Sequence, residues 1–575
     1  MQDKLIVAAR SDGLGERFLG ILNALYLCNL TGCKFGYIWN DGFSYISEEE
    51  IKRGSRRNEG MDIPSEIEIF NDNFINKYSL KDKLLDCNGN NFSGSAGPFL
   101  KSGKYNLNFF NLKSEYSWGW SSSSFDLSKI FEDIDVKHYH RHLQLLWNWL
   151  NDHFSANLKE FISSIYTIIK TRLSNNYIGF HIRSGGIIYE HRISALYGIR
   201  KALPIHITLE LIKQYSSSGN KVLLFGDDVE TLKQIRLFLE NDNIYLIDDL
   251  VQVDLLSNFE ISLSEIVLMA NSSRIFSSGK SAFSIFASKI GNIDNISLYT
   301  HIAKLNQVDL IKKYINLINI HNLQKSYSLS YLFDLYEELN LNTNESEQYV
   351  KAAIDYDPDN IYYKIKYVYI LLKNQKYDKA DTYVYNILLY NSALFFDVLL
   401  YKSVPELGSK FINYKYFDIF FKIPEKFLTR NFIYINLNIF KRLYDGRNLN
   451  NEIFVHYHKN IYNIFCEKLI DYDNYKIESY NGAKLSYQVG FVMLSQSIKL
   501  NVFSRIFYLL LIGIKHKYDR NILNNNILDE DENKIYINFG KKFIKATKNW
   551  YKCGYIKLWF ETRKLKREIR NKEGE

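Results

Sequence analysis

Tyr177-Ile178-Gly179-Phe180-His181-Ile182-Arg183-Ser184-Gly185-Gly186 ends an apolar run in a histidine, an arginine and two glycines. The run is too short for a free-standing helix and suits a buried strand. A strand whose carboxyl end opens into a glycine loop is where doubly wound α/β sheets hold their ligands. Arg183 then stands at the mouth of a cleft, and the glycines beside it let backbone come close to an anion. The bland alternative is a strand edge ending in a solvated arginine.

Downstream the pattern repeats. A helix over 207–215 leads to the apolar run Lys221-Val222-Leu223-Leu224-Phe225, which ends in Gly226-Asp227-Asp228. A helix (Val229–Glu240), a strand (Ile244–Ile247), a helix containing Ser264 to Ala270 and a strand (Arg274–Ser277) follow, and the last leads into Ser278-Gly279-Lys280-Ser281. Strict alternation from 177 to 298 predicts a parallel sheet covered on both faces. Asp227 and Asp228, at the end of a buried strand, are expected to contact a ribose or cap the next helix rather than bind a metal. Gly279-Lys280-Ser281 is not a Walker A loop, since Arg274 stands where its first glycine belongs. A hydroxyl-rich turn into a helix start still suits a phosphate.

Upstream, Leu5–Ala9 reads as a strand, Arg10-Ser11-Asp12-Gly13-Leu14-Gly15-Glu16-Arg17 as a glycine turn into an amphipathic helix, and Phe35–Trp39 as a second strand. Phe18 occupies the third glycine position of the dinucleotide fingerprint, which excludes that motif. The glycine turn either faces a cleft or is structural. Residues 40–130 lack a period and suit an acceptor-recognition surface or a connective loop. From 125 to 170 the pattern is helical, with Leu143, Leu146, Trp147 and Leu150 on one face. His138, His140 and His142 alternate as on a strand or loop and are expected to be solvated rather than metal-bound.

The length of 575 residues predicts two to four domains. Hydrophobic residues at 46% and charged residues at 24% are ordinary for a globular protein, and a net charge of +8 over so much surface does not argue for nucleic acid. The five cysteines form no CxxC pair and no zinc spacing, as expected of reduced thiols in the cytoplasm. The amino terminus enters a strand too early for a signal sequence, and Val502–Ile514 is too short to span a bilayer. Beyond 304 the periods are helical, and Tyr327–Leu339, Glu345–Tyr356, Ile361–Lys373 and Tyr377–Leu389, with Ala353 and Ala380 at crossing points, resemble a tetratricopeptide-like array for one or two repeats. Residues 541–572 carry twelve Lys or Arg against Glu561 and Glu568, interleaved with aromatics. Such a basic helix can lie on an anionic membrane surface, a peripheral contact at the inner membrane, or pack its aromatics inward.

In this order, Arg10 to Arg17, His181-Ile182-Arg183-Ser184-Gly185, Phe225-Gly226-Asp227-Asp228 and Glu265 to Ala287 resemble the fucosyltransferase superfamily over residues 1–300. The resemblance implies a GT-B fold, two Rossmann-like domains facing across a cleft. It implies an inverting, metal-independent transfer of L-fucose from GDP-fucose, with no cofactor, to a glycan or lipid-linked glycan in bacterial surface polysaccharide or lipooligosaccharide synthesis. By the same resemblance Arg183 grips the β-phosphate, His181 lies near the nucleoside, Glu265 contacts the nucleoside and Ser281 meets the diphosphate, and Ser278, Asp227 and Asp228 are expected among the residues that bind the nucleotide sugar. Gly13, Gly15 and Arg17 then bring the first domain to the donor. Many members have an aspartate where this chain has Gly186, so any acid role of that carboxylate is absent or supplied elsewhere. A heptose or hexose nucleotide on the same fold, or a non-catalytic helical-repeat interaction protein, are the alternatives.

The expected architecture is α/β followed by all-α: residues 1–165 and 166–303 as Rossmann-like acceptor-side and nucleotide-sugar domains, and 304–575 as a helical, partly repeat-like domain. Transfer needs a cation where the diphosphate departs and a base within reach of the acceptor hydroxyl. Asp12, Glu16, Glu190 and His191 are the candidates for that base.

Overall fold

Leu5–Ala8 (β1) is the middle strand of a three-stranded parallel sheet ordered β2-β1-β3, with Lys34–Tyr37 as β2 and Gly119–Ser121 as β3. The computed structural model describes residues 4–10, 13–39, 41–43, 62–81, 105–111, 116–174, 176–189, 192, 201–401 and 413–445. Asp12, Glu190, His191, most of the 40–130 stretch, Val502–Ile514, the basic segment 541–572 and Cys87, Cys466 and Cys553 lie outside the described residues. Between β1 and β2 runs α1 (Leu14–Thr31), closed by Gly32 in the left-handed conformation with its amide donating to the Cys28 carbonyl.

Val136–Asp152 forms α2, capped by the Asp135 carboxylate, which accepts from the His138 amide. His138, His140 and His142 therefore lie on a helix, not on the expected strand or loop. His138 and His142 share one face with ring centroids 4.0 Å apart, while His140 turns with Asp126 towards Lys289. Ala156–Ile168 is α3.

The second sheet has five parallel strands: β4 (Tyr177–His181), β5 (Lys221–Phe225), β6 (Ile244–Leu246), β7 (Ile275–Ser277) and β8 (Asn295–Ser297), in the order β8-β7-β4-β5-β6. Its connecting helices are α4 (Leu209–Ser217), α5 (Val229–Leu239), α6 (Asn258–Ala270) and α7 (Ala282–Gly291). After β4 the chain adds β5 and β6 on one side, then crosses over to add β7 and β8 on the other. β4 and β7 therefore flank the switch point of the strand order, where doubly wound sheets open a ligand crevice at the carboxyl ends of their strands.

Alternate residues of β5 feed two cores. Leu223 and Phe225 join the one shared with α1, α2, α6 and α7, and Val222 and Leu224 the one on the opposite face. That second core continues through α8 (Lys304–Tyr314), α9 (Asn322–Glu338), α10 (Thr343–Tyr356) and α11 (Ile361–Lys373), by way of Ile311, Leu332, Leu335, Ala353 and Tyr363. Each large apolar side chain buried there stabilises by roughly 1.5–3 kcal/mol, so these helices are a cover for the sheet. The chain divides into compact units between Ile370 and Leu371. The boundary expected at 303/304 falls inside that first unit.

In the second unit, α12 (Tyr377–Leu399) bends at Asn391, where the dihedrals leave the helical region. The Asp381 carboxylate accepts from Thr429 and Asn431 at the start of α13 (Arg430–Asp445). Ala380 is fully buried there. Among the described residues no helix is long and apolar enough to cross a membrane.

Candidate functional site

Arg183 leaves β4 with its guanidinium 3.0 Å from the Asp227 carboxylate and its side chain 33% exposed. Asp227 is buried at the end of β5 and also gathers the loop: one oxygen accepts from the amides of Ser184 (3.0 Å) and Gly185 (2.8 Å), the other from Gly186 (3.1 Å). Burial alone would raise its pKa, but Arg183 and these amides hold it below the usual carboxylate value. An ionised Asp227 so occupied orients Arg183. The guanidinium keeps donors to spare, among them a buried Nε with no protein partner.

Asp228 divides from its neighbour in role. It caps α5 by accepting from the Thr231 amide (3.0 Å) and hydroxyl (2.7 Å), as expected of a helix cap. It also accepts from the Tyr189 hydroxyl (2.6 Å) and Gln324 (2.8 Å). Burial raises its pKa, and these donors offset part of the rise.

His181 is buried with its ring stacked on Phe283, centroids 5.7 Å apart. Burial, and then Arg183, push its pKa down to about 4, so it is a neutral imidazole at pH 7. Its Nδ1 is buried without a partner in the protein.

The turn from β7 into α7 needs Gly279, whose φ of +76° is left-handed. Ser278 is buried, with its hydroxyl accepting from the Lys280 amide and its carbonyl accepting from Ser297. Ser281 holds the cap position of α7, yet its hydroxyl makes no capping bond.

Two helices start together here. A β-carbon on Gly15 would lie 2.8 Å from the Ala282 carbonyl oxygen and 3.3 Å from Cα of Phe283. One turn on, Phe18 stacks on Phe286 at 5.6 Å. Contacts that advance in step along both helices mean that α1 and α7 run parallel with their amino termini abutting. Both positive dipole ends meet beside Phe283, the ring against which His181 stacks.

The structure thus joins Gly15, His181, Arg183, Asp227 and the Ser281 turn in one chain of contacts. Gly13 accepts the amides of Glu16 and Arg17 at the start of α1. Arg17 is buried, its guanidinium 5.6 Å above the Trp39 ring, and Glu16 lies 3.8 Å from Arg10. Glu265 is buried midway along α6. Phe283 and Gln324 were not anticipated. Gln324 does carry a sequence signal, a polar residue amid the apolar positions Leu323, Tyr327 and Leu329 of a buried helix. Among the described residues no three His, Cys, Asp or Glu side chains gather as metal ligands would.

The class so defined is a mixed α/β protein with parallel sheets and many helices. No protein-family model matches this chain, and no curated protein matches it.

Proposed function

We propose that the chain is a glycosyltransferase of GT-B type, in which the first and second sheets are the two Rossmann-like halves and a nucleoside diphosphate sugar sits at the crevice between β4 and β7. What carries this reading is the abutment of the α1 and α7 amino termini beside Phe283, the ring stacked on His181, together with Arg183 two residues further on, a cation preset by Asp227. Two dipole ends brought together without an anion repel each other, whereas a diphosphate between them is stabilised by both. As the sugar departs in an inverting transfer, negative charge grows on the leaving diphosphate. Arg183 and the two helix starts stabilise that charge more in the transition state than in the ground state. Asp227 and Asp228 are committed to amides, hydroxyls and Arg183, so the base for the acceptor hydroxyl comes from elsewhere, with Asp12, Glu190 and His191 the candidates. GDP-fucose is the donor that the motif order supports, and a surface glycan the acceptor. Such an enzyme works on the cytoplasmic side of the inner membrane.

Titration calorimetry of the full chain with GDP, UDP, ADP and pyrophosphate tests the reading, paired with Arg183→Gln. Binding of one diphosphate, lost by tenfold or more in the variant, is the expected result, and the base preferred identifies the donor class between GDP-fucose and a heptose or hexose nucleotide. Binding without turnover of any matching nucleotide sugar would favour the non-catalytic alternative. No binding of any of the four overturns the proposal.

A further inference from the structure

The loop after β4 is tied on its outer side to the helical layer. Gln324, fully buried near the start of α9, donates to the Ser184 carbonyl at 2.8 Å and to the Asp228 carboxylate at 2.8 Å. Its neighbour His321 meets the Tyr189 ring edge to face at 5.3 Å. Arg192 reaches from the same loop to Asp357, after α10, at 3.2 Å, and donates to the Tyr189 carbonyl. Ser184 thus has its amide held by Asp227 and its carbonyl by Gln324, one residue from the guanidinium. Both ties are buried, where a hydrogen bond is expensive to lose.

We propose that Gln324 is a positioning residue for the Arg183 loop, and that the helical layer through it sets part of the affinity for a diphosphate; the second half rests on the function proposed above. Residues 304–363 are then part of the anion site. A neutral amide suits the place, because it can donate to a carbonyl and a carboxylate at once, which a carboxylate cannot.

The test uses the full chain with Gln324→Leu, and Gln324→Met, which keeps more of the stem, should the first fail to fold. Hydrogen–deuterium exchange is followed in the peptide covering 183–189, and GDP and pyrophosphate are titrated. The expected result is exchange faster by about tenfold across 183–189 with β5 and α6 unchanged, and a Kd weakened by about tenfold, the worth of one to two hydrogen bonds. Unchanged exchange in that peptide overturns the positioning role. Faster exchange with an unaltered Kd, for a ligand the wild type binds, overturns the link to affinity. A wild type that binds none of GDP, UDP, ADP and pyrophosphate sinks the glycosyltransferase reading instead, and the exchange experiment still decides whether Gln324 holds the loop.

Discussion

Gly15 in the first turn of α1 approaches the backbone of Ala282, the first residue of α7, so closely that a β-carbon would stand 2.8 Å from its carbonyl oxygen. The obstacle is backbone, so no side-chain rotation relieves it. Gly15→Ala should part the two helix starts at a cost of about 1–3 kcal/mol, and weaken GDP binding with it. Gly13→Ala meets nothing within 4 Å, and its φ of −59° suits any residue, so that variant should be near neutral. Urea denaturation of both beside the wild type makes the comparison. Equal midpoints would mean that the close approach constrains nothing.

Acid should destabilise the protein well above the carboxylate range. Burial and Arg183 push the His181 pKa down to about 4 from 6.5, and burial followed by Lys325 pushes His206 to about 3. Both imidazoles are neutral when folded and take protons once unfolded. Between pH 6.5 and 4 the unfolded chain therefore binds more protons, and stability falls as pH drops. The slope is on the order of 1.4 kcal/mol per pH unit for each histidine. Asp227, with its pKa lowered, adds a further loss only as pH falls below the unfolded carboxylate value of 3.8. Denaturant midpoints at pH 7 and pH 5 should differ accordingly, and His206→Gln should show a shallower dependence. A midpoint flat across that interval counts against both burial arguments.

Much of the α/β part was legible in the sequence because local patterns dictate it. The apolar runs at 177, 221, 244 and 275 are each bounded by polar turns, and each became a strand. Strand order was not legible, since neighbours in a parallel sheet are chosen by long-range packing. The same limit hid the abutment of Gly15 on Ala282, which lie 267 residues apart (282 − 15). At His138 to His142 the alternation of histidines competed with a helical period, and Asp135 as a cap decided for the helix. The 303/304 boundary followed the end of the strands, whereas the core follows the face of β5 that needs a cover.

That cover leads to a prediction about truncation. Val222 and Leu224 of β5 share a core with Ile311, Leu332 and Leu335, and these helical residues are at most 1% exposed. A fragment of residues 1–303 bares one face of the sheet, a contiguous apolar surface of the kind that aggregates. It should be insoluble or molten, lacking a cooperative thermal transition and binding a hydrophobic dye. A monomeric 1–303 fragment with a sharp transition would show that the helices 304–363 are dispensable for folding.

Ser281→Ala separates a structural from a ligand-binding role at the start of α7. Serine at a cap position ordinarily contributes about 1 kcal/mol through its side-chain bond to the helix amides. Here that bond is missing, although the residue is buried, so its hydroxyl is left for another partner at the helix start. The variant should lose less than about 0.5 kcal/mol of stability, because no capping bond is removed. Its affinity for a diphosphate should nevertheless fall by severalfold, as the loss of one hydrogen bond to a charged group requires. Asp228→Ala is the stability reference: its carboxylate caps α5 and also accepts from the buried Tyr189 hydroxyl and Gln324, so the variant should cost at least about 2 kcal/mol. Melting curves and GDP titrations of the two variants give four numbers. If Ser281→Ala lowered the melting temperature as far as Asp228→Ala while leaving GDP affinity intact, the hydroxyl would belong to the helix and the diphosphate would have to be sought elsewhere.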